Sequence, residues 1–476
     1  MKKVLLTLCG FCSIILSSCT ASMFGQYKVV ETFDEIKKLT DDNEYIKLGC
    51  DIDCNYETLS NIKCARFDGD GYSLKNIVST SKENYSLFSD NTEKIENLII
   101  DNSTFKIENG LNDIAIISKR LDKKGVEINN VTIKNSKLDC SFTKNTSYQM
   151  YDMKVGGFIA GCDISGYYVT ESEKTSSNVN NCTLDNVKFD ITVEKSRSGD
   201  VYVGGLVGYG METAVSQCKV VNSEFIVNGK TESNDIYIGG IAGKNTKIED
   251  SFVKNTSISG INTTYSGSFG ILSTPEIVVG GIAGDNNKLM SFCYSQDLTL
   301  TANSSGDAYS GGICGICRNG ISQSYSRGNE IFIKGYVSNN SHVKRRTGGF
   351  VSSGVNATIT SCFSYDNTIL DQSTNNLKYS EDSLSGGFVG KNSNCSISKC
   401  ASNSPSIAGG IVDSFVCENA GTLSENFIDD IRFGNVSNAE TITSDFWTNS
   451  NEIKEKLHLL GGKWFYSLDD LPHLEF

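Results

Sequence analysis

The stretch "YVGGLVGYG", Tyr202 to Gly210, has the glycine density of a loop that cradles a phosphate with its backbone N–H groups. That chemistry also needs a Lys-Ser/Thr pair after the glycines and a helix to follow. Lys244-Asn245, after a sister copy of the phrase, is the nearest approach and lacks the hydroxyl residue. Two carboxylate pairs, Asp51/Asp53 and Asp68/Asp70, have the i, i+2 spacing that puts both side chains on one face of a strand. Polysaccharide cleavage asks for two carboxylates about 5–10 Å apart, or a basic residue with bound calcium. The "DGDG" at Asp68 reads as a turn instead, because Asp and Gly tolerate turn geometry with positive φ. Cys314 and Cys317, in "CGIC", have the spacing of a redox pair or half a zinc site, but no second half accompanies them. A zinc peptidase would need His-Glu-x-x-His, whereas His342, His458 and His473 are far apart. Gly267-Ser268 lacks the register of a serine nucleophile elbow. These tests lead to no expected catalytic residue, metal or cofactor.

One cysteine does have a chemical context. Lys2-Lys3 is a short positive segment, residues 4–16 are apolar, and Leu16-Ser17-Ser18-Cys19 closes the stretch. The apolar run is too short for a permanent membrane span. The ending resembles the lipobox of bacterial lipoproteins, which implies cleavage before Cys19 and lipid attachment to it. An ordinary signal peptidase cutting near Ala21 is the alternative. Both readings imply export, and the first implies a membrane partner through the lipid on Cys19.

The elements that would position any site come from repetition. The glycine phrase recurs with its leading pair at Gly156-Gly157, Gly204-Gly205, Gly239-Gly240, Gly280-Gly281, Gly311-Gly312, Gly348-Gly349 and Gly386-Gly387. The spacing runs from 31 residues (Gly280 to Gly311) to 48 (Gly156 to Gly204). Seven copies are architecture, not seven nucleotide sites. Each is followed by a second phrase such as "AVSQCKVVNSEF" or "TITSCFSYDNTI", which alternates at period two and closes on Asn-Ser/Thr. Short strands at a long fixed period predict coils that stack: an all-β parallel β-helix with terminal caps. A repeat would then make about two rungs. The apolar residues after the glycine pairs (Phe158, Leu206, Ile241, Ile282, Ile313, Phe350, Phe388) should form an inward ladder. Cys182, Cys218, Cys362 and Cys400 take the position that Ser251 and Ser324 hold in sister repeats. They are expected as buried, mostly free thiols, with disulfides between adjacent rungs as the alternative. Asparagines of the closing phrase, among them the sequons at Asn130 and Asn255, are expected to stack.

Composition narrows the partners. The net charge of -13 and the lack of a basic face argue against nucleic acid. The basic run Lys344-Arg345-Arg346 is expected to be a solvated loop tip.

The phrases resemble those of GLUG-motif bacterial surface proteins. The likeness extends to "YIKLGCDIDC" from Tyr45, "RFDGDGYSLKNI" from Arg66 and the close "GGKWFYSLDDLPHLEF". It covers residues 28–476, departing in the high cysteine content and in a loose sixth copy, "TGGFVSSG" from Thr347. The resemblance implies a right-handed β-helix, display at the cell surface and adhesion. The expected organisation is a lipoprotein-type signal at 1–18, an N-terminal cap and first rungs at 19–90, the repeat β-helix at 91–440 and a C-terminal cap at 441–476. The expected function is a non-catalytic, lipid-anchored adhesin or binding scaffold whose ligand is an unknown glycan or protein. Recognition would lie in the loops at 171–180, 262–275, 337–346 and 372–385. A polysaccharide lyase or glycosidase, and a structural or biofilm matrix protein, are the alternatives.

Overall fold

The period-two phrases do become strands. The computed structural model describes residues 27–82, 84–108, 113–120, 125–142, 152–162, 176–194, 199–230, 234–263, 275–335, 343–373, 383–429, 439–466 and 471–476. These wind into a parallel β-helix. The coil that holds Gly204 has five strands: Ser177–Asn180, Thr183–Asp185, Lys188–Glu194, Val201–Gly204 and Val207–Gly210. Stacked coil on coil, they form five sheets, called first to fifth here, of 13, 13, 10, 9 and 9 strands.

Each repeat makes one coil, not the two rungs expected. Gly156 pairs with Gly204, Gly204 with Gly239, and so on in register to Gly348 with Gly386. Five short sides and their corners consume a whole repeat in a single turn, which the repeat length alone could not reveal.

The corner between first and second sheets shows why Cys and Ser interchange. A residue with positive φ comes first: Asn181, Gln217, Asp250 or Gln323. The next residue points inward and acts in both hydrogen-bonding directions. Ser324 Oγ donates to the Ser322 carbonyl (2.8 Å) and accepts the Cys293 N–H (3.0 Å). Cys218 Sγ likewise donates to the Ser216 carbonyl (3.1 Å) and accepts the Cys182 N–H (3.4 Å). Either residue satisfies a backbone donor that burial would otherwise leave unpaired. The described cysteines are free thiols in this structure, most of them buried. Outside, the positive-φ asparagines do stack: Asn130 donates to Asn97 (2.8 Å) and Asn186 to Asn135 (2.9 Å).

The apolar ladder is inward as expected, with Phe158, Leu206, Ile241, Ile282, Ile313, Phe350 and Phe388 all fully buried. Phe350 and Phe388 stack at 4.8 Å between centroids. The glycine pairs are required by close approach, not by backbone handedness, since none of them has positive φ. A Cβ on Gly204 would lie 2.0 Å from the Val207 carbonyl oxygen, and one on Gly205 2.2 Å from that of Gly240. The third glycine of the phrase also meets backbone: a Cβ on Gly243 would sit 2.7 Å from the Val203 nitrogen. The sixth copy puts Ser352 at this place, and its Oγ donates to the Arg346 carbonyl (2.9 Å).

The helix Phe33–Lys37 opens on a Thr32/Glu35 capping box and buries Phe33 and Ile36 at the N-terminal end. Residues 441–466 and 471–476 do more than close the other end. They run back along the outer face of the second sheet, over the stacked rings of Phe252, Tyr294, Tyr325 and Phe363. Gln323 anchors this strap: it accepts from Leu460 N–H and Trp464 Nε1 (both 2.9 Å) and donates to the His458 carbonyl (2.9 Å).

Candidate functional site

The densest chemistry lies on a seam outside the coil, where the fourth and fifth sheets fold against each other at the glycine corner. Outward residues of the fourth sheet (Tyr202, Tyr237, Val278, Tyr309) pack with Ile316 of the fifth into a small cluster separate from the core. Lys244 lies 4.3 Å from the Tyr237 ring centroid and 5.3 Å from that of Tyr202. Asp285, its side chain almost fully buried, sits 3.5 Å from Lys244 Nζ and accepts from Arg318 Nε (2.9 Å).

A row of carboxylates runs beside the seam, one just before each of the fourth-sheet strands that begin at Met153, Val201, Ile236, Ile277 and Ala308. Asp152 accepts the Asp200 N–H (3.0 Å), Asp200 the Asp235 N–H (3.3 Å), and Asp235 the Glu276 N–H (2.8 Å). Asp307 accepts the Lys344 N–H (2.8 Å). The tyrosines lean on the same row: Tyr202 donates to Asp200 (3.1 Å) and Tyr237 to Asp235 (3.4 Å). Burial, reinforced by neighbouring Asp235, Asp307 and Asp285, pushes the Glu276 carboxyl up to about 8. Burial chiefly, against the N–H bond it accepts, pushes Asp235 up to about 6. Glu276 therefore holds a proton at neutral pH, the condition of a general acid.

The row was legible as an extension of the repeat phrase and was missed. An acidic residue stands four positions before the first glycine in "DVYVGG", "DIYIGG", "EIVVGG" and "DAYSGG". The basic run is also corrected by it. Lys344-Arg345-Arg346 is not a solvated loop tip: Arg345–Gly348 is a fourth-sheet strand, with Arg345 fully buried and Arg346 nearly so. Lys344 takes the acidic position and pairs with Asp307 (3.7 Å). Charge alone suggested solvent; strand register decided otherwise.

The carboxylates singled out from the sequence are tied into structure. Asp51 accepts from Lys75 Nζ (2.6 Å) and Ser73, which hold its carboxyl down at about 2. Asp53 accepts from Asn55 N–H (2.8 Å) and Asn76. They line an open acidic hollow with Glu31, Asp34 and Glu57. Asp68 accepts the Asp70 N–H (2.8 Å), with Asp70 at φ 51° and Gly71 at φ 85°: the turn. Cys314 and Cys317 are both buried on one fifth-sheet strand. His458 Nδ1 lies 3.2 Å from Lys399 Nζ, and His473 pairs with Glu475. Among the described residues no group of His, Cys, Asp or Glu is arranged to hold a metal, and no helix is long and apolar enough to cross a membrane. Cys19, His342 and Gly267-Ser268 lie outside the described residues, as does most of the loops expected to carry recognition.

The strand ends place the long connections. From the third sheet to the fourth, the chain goes from Asn262 to Ile277, from Lys334 to Arg345 and from Asp371 to Ser383, all at the corner where the carboxylate row begins. The corner between second and third sheets takes only two residues, such as Asn222 and Ser223. Comparison with known proteins gives no match to a family model, a curated protein or a solved structure.

Proposed function

We propose that the chain is an exported, lipid-anchored surface rod of the GLUG type that acts by binding, with Cys19 as the anchor and a glycan or protein as ligand. The observation that carries this reading is the asymmetry of the coil. Regular corners make a rigid scaffold, and most of the long connections leave from one corner, beside a row of carboxylates, tyrosines and cations, while the run from Cys162 to Ser177 leaves from the corner between the fifth and first sheets. That is how a scaffold presents recognition loops. The row's backbone bonds give it a structural task already, and the seam tyrosines are packed and not splayed around a cleft. Fold by itself does not warrant function, so the site has to carry the test. Glycan-array and cell-binding assays on the mature chain should show binding that is lost when the 262–275 and 372–385 loops are exchanged for short corners.

A second reading has one observation in its favour. Burial and neighbouring carboxylates push the Glu276 carboxyl up to about 8, which is the pattern of a glycosidase acid. Release of reducing sugar by the wild type, abolished in Glu276→Gln, would replace binding with hydrolysis. Membrane fractionation with Cys19→Ala, which should free the chain from the envelope, tests the anchor.

A further inference from the structure

The inward corner row contains two places where cysteines are consecutive from coil to coil: Cys182 with Cys218, and Cys362 with Cys400. The strands that follow them are in parallel register, Thr183 with Lys219 and Phe363 with Ala401. Equivalent residues of adjacent parallel strands lie about 4.8 Å apart, inside the Cα range of roughly 4.4–6.8 Å that a disulfide spans. The Cys182 N–H already reaches Cys218 Sγ at 3.4 Å. Cys140, Cys293 and Cys314 lack such a neighbour. Cys140 faces Ile107 and Ile191 across its sheet, and Cys314 faces Ala283 and Val351. Cys293 donates its N–H to Ser324, and Ser251 holds its place in the coil before.

We propose that Cys182–Cys218 and Cys362–Cys400 are two inter-coil disulfide sites, closed while the coils dock and sealed afterwards. The oxidant is an external disulfide, of the glutathione or carrier-protein class. One cysteine thiolate attacks it and expels one carrier thiol, leaving a mixed disulfide. The second cysteine thiolate attacks the protein sulfur of that intermediate and expels the other carrier thiol. The two protein thiols give up two protons and two electrons, and the external disulfide becomes two thiols. Docking closes the reaction, because all four cysteines are fully buried. Burial first, then the neighbouring cysteine, also pushes the Cys182 and Cys362 thiols well above their ordinary range, which disfavours the thiolate at these two positions. Each bridge would tie one coil to the next, where a solenoid otherwise relies on nearest-neighbour packing. In the cell the oxidant is met outside the cytoplasm, so that setting rests on the proposed export; the bridging chemistry itself does not.

The test uses the full chain refolded from denaturant in mixed reduced and oxidised glutathione, alkylated, digested and analysed by mass without reduction. The expected result is two linked peptide pairs, 182 with 218 and 362 with 400, each lighter by two hydrogens. The already folded, reduced chain in the same buffer should keep all four thiols. A Cys218→Ser/Cys400→Ser variant should fold, because Ser251 and Ser324 serve the same corner, and should lose both links. Complete alkylation of the four cysteines after oxidative refolding, or linkage to other cysteines, overturns the proposal. Oxidation of the pre-folded chain at the same rate overturns the timing. Fractionation of cells tests export separately, so failure of one does not imply failure of the other.

Discussion

Replacing Gly239 by alanine inserts one methyl group where three backbone atoms already stand. The new Cβ would be 2.0 Å from the Ala242 carbonyl oxygen, 2.7 Å from Ala283 Cα and 2.8 Å from Gly284 N. None of these is the free end of a side chain, so relief requires the fifth-sheet strand of two coils to move by about 1 Å or more. Ladder bonds next to the site, Ile241 N–H to Ile282 O (2.9 Å) and Gly205 N–H to Gly239 O (3.3 Å), would be stretched or lost. Two such bonds at about 1 kcal/mol each, with an overpacking cost of about 1–3 kcal/mol, give a destabilisation of about 3–5 kcal/mol. The loss of unfolded-state entropy on going from glycine to alanine offsets this by less than about 1 kcal/mol. Gly462→Ala is the control, since a Cβ there meets nothing within 4 Å and the residue has no positive φ. Solenoids need not unfold in one step, so the assay should be local. Amide exchange of Ile236–Gly239 and its neighbours should accelerate by at least about a hundredfold in Gly239→Ala, a free-energy loss of about 3 kcal/mol, and remain unchanged in Gly462→Ala. Wild-type exchange in Gly239→Ala would refute the claim that close approach, not sequence habit, fixes the glycine pairs.

The remaining expectations concern other parts of the coil. Ser324→Cys should be nearly neutral, whereas Ser324→Ala leaves the buried Cys293 N–H without its acceptor and should cost about 1–3 kcal/mol in urea unfolding. Gln323→Leu removes three hydrogen bonds from the strap and should expose both tryptophans, Trp447 and Trp464, giving a red-shifted emission and faster proteolysis after 440. Glu276 has a folded pKa raised from 4.5 to about 8, so its uncharged form is the one the fold favours. That contribution is fully present below pH 4.5 and is lost as pH rises through about 8. Melting temperature should therefore decline over this window, with a smaller decline in Glu276→Gln. Asp51, held down at about 2, has the opposite sign: its contribution is present above its ordinary 3.8 and disappears as pH falls through 2.

Much of the architecture was legible in the chain. Seven glycine phrases, period-two alternation and a recurring Cys/Ser position specify stacked coils, because each of these signals is local and repeated. The inward ladder from Phe158 to Phe388 and the asparagine stacks follow from the same repetition. Sequence spacing could not say how many sides a coil has. That number depends on the angle at each corner, and the corner at Gly204 is set by a carbonyl oxygen from its own turn and a Cα from the next coil. Nor could composition place Arg345, whose charge suggests solvent while its register in the fourth sheet puts it inside. The carboxylate row was written in plain view, four residues before every glycine pair but the one at Gly348, yet its meaning required the coils to be stacked. Only then do Asp200, Asp235, Glu276 and Asp307, separated by dozens of residues along the chain, become neighbours whose burial and mutual repulsion keep a proton on Glu276.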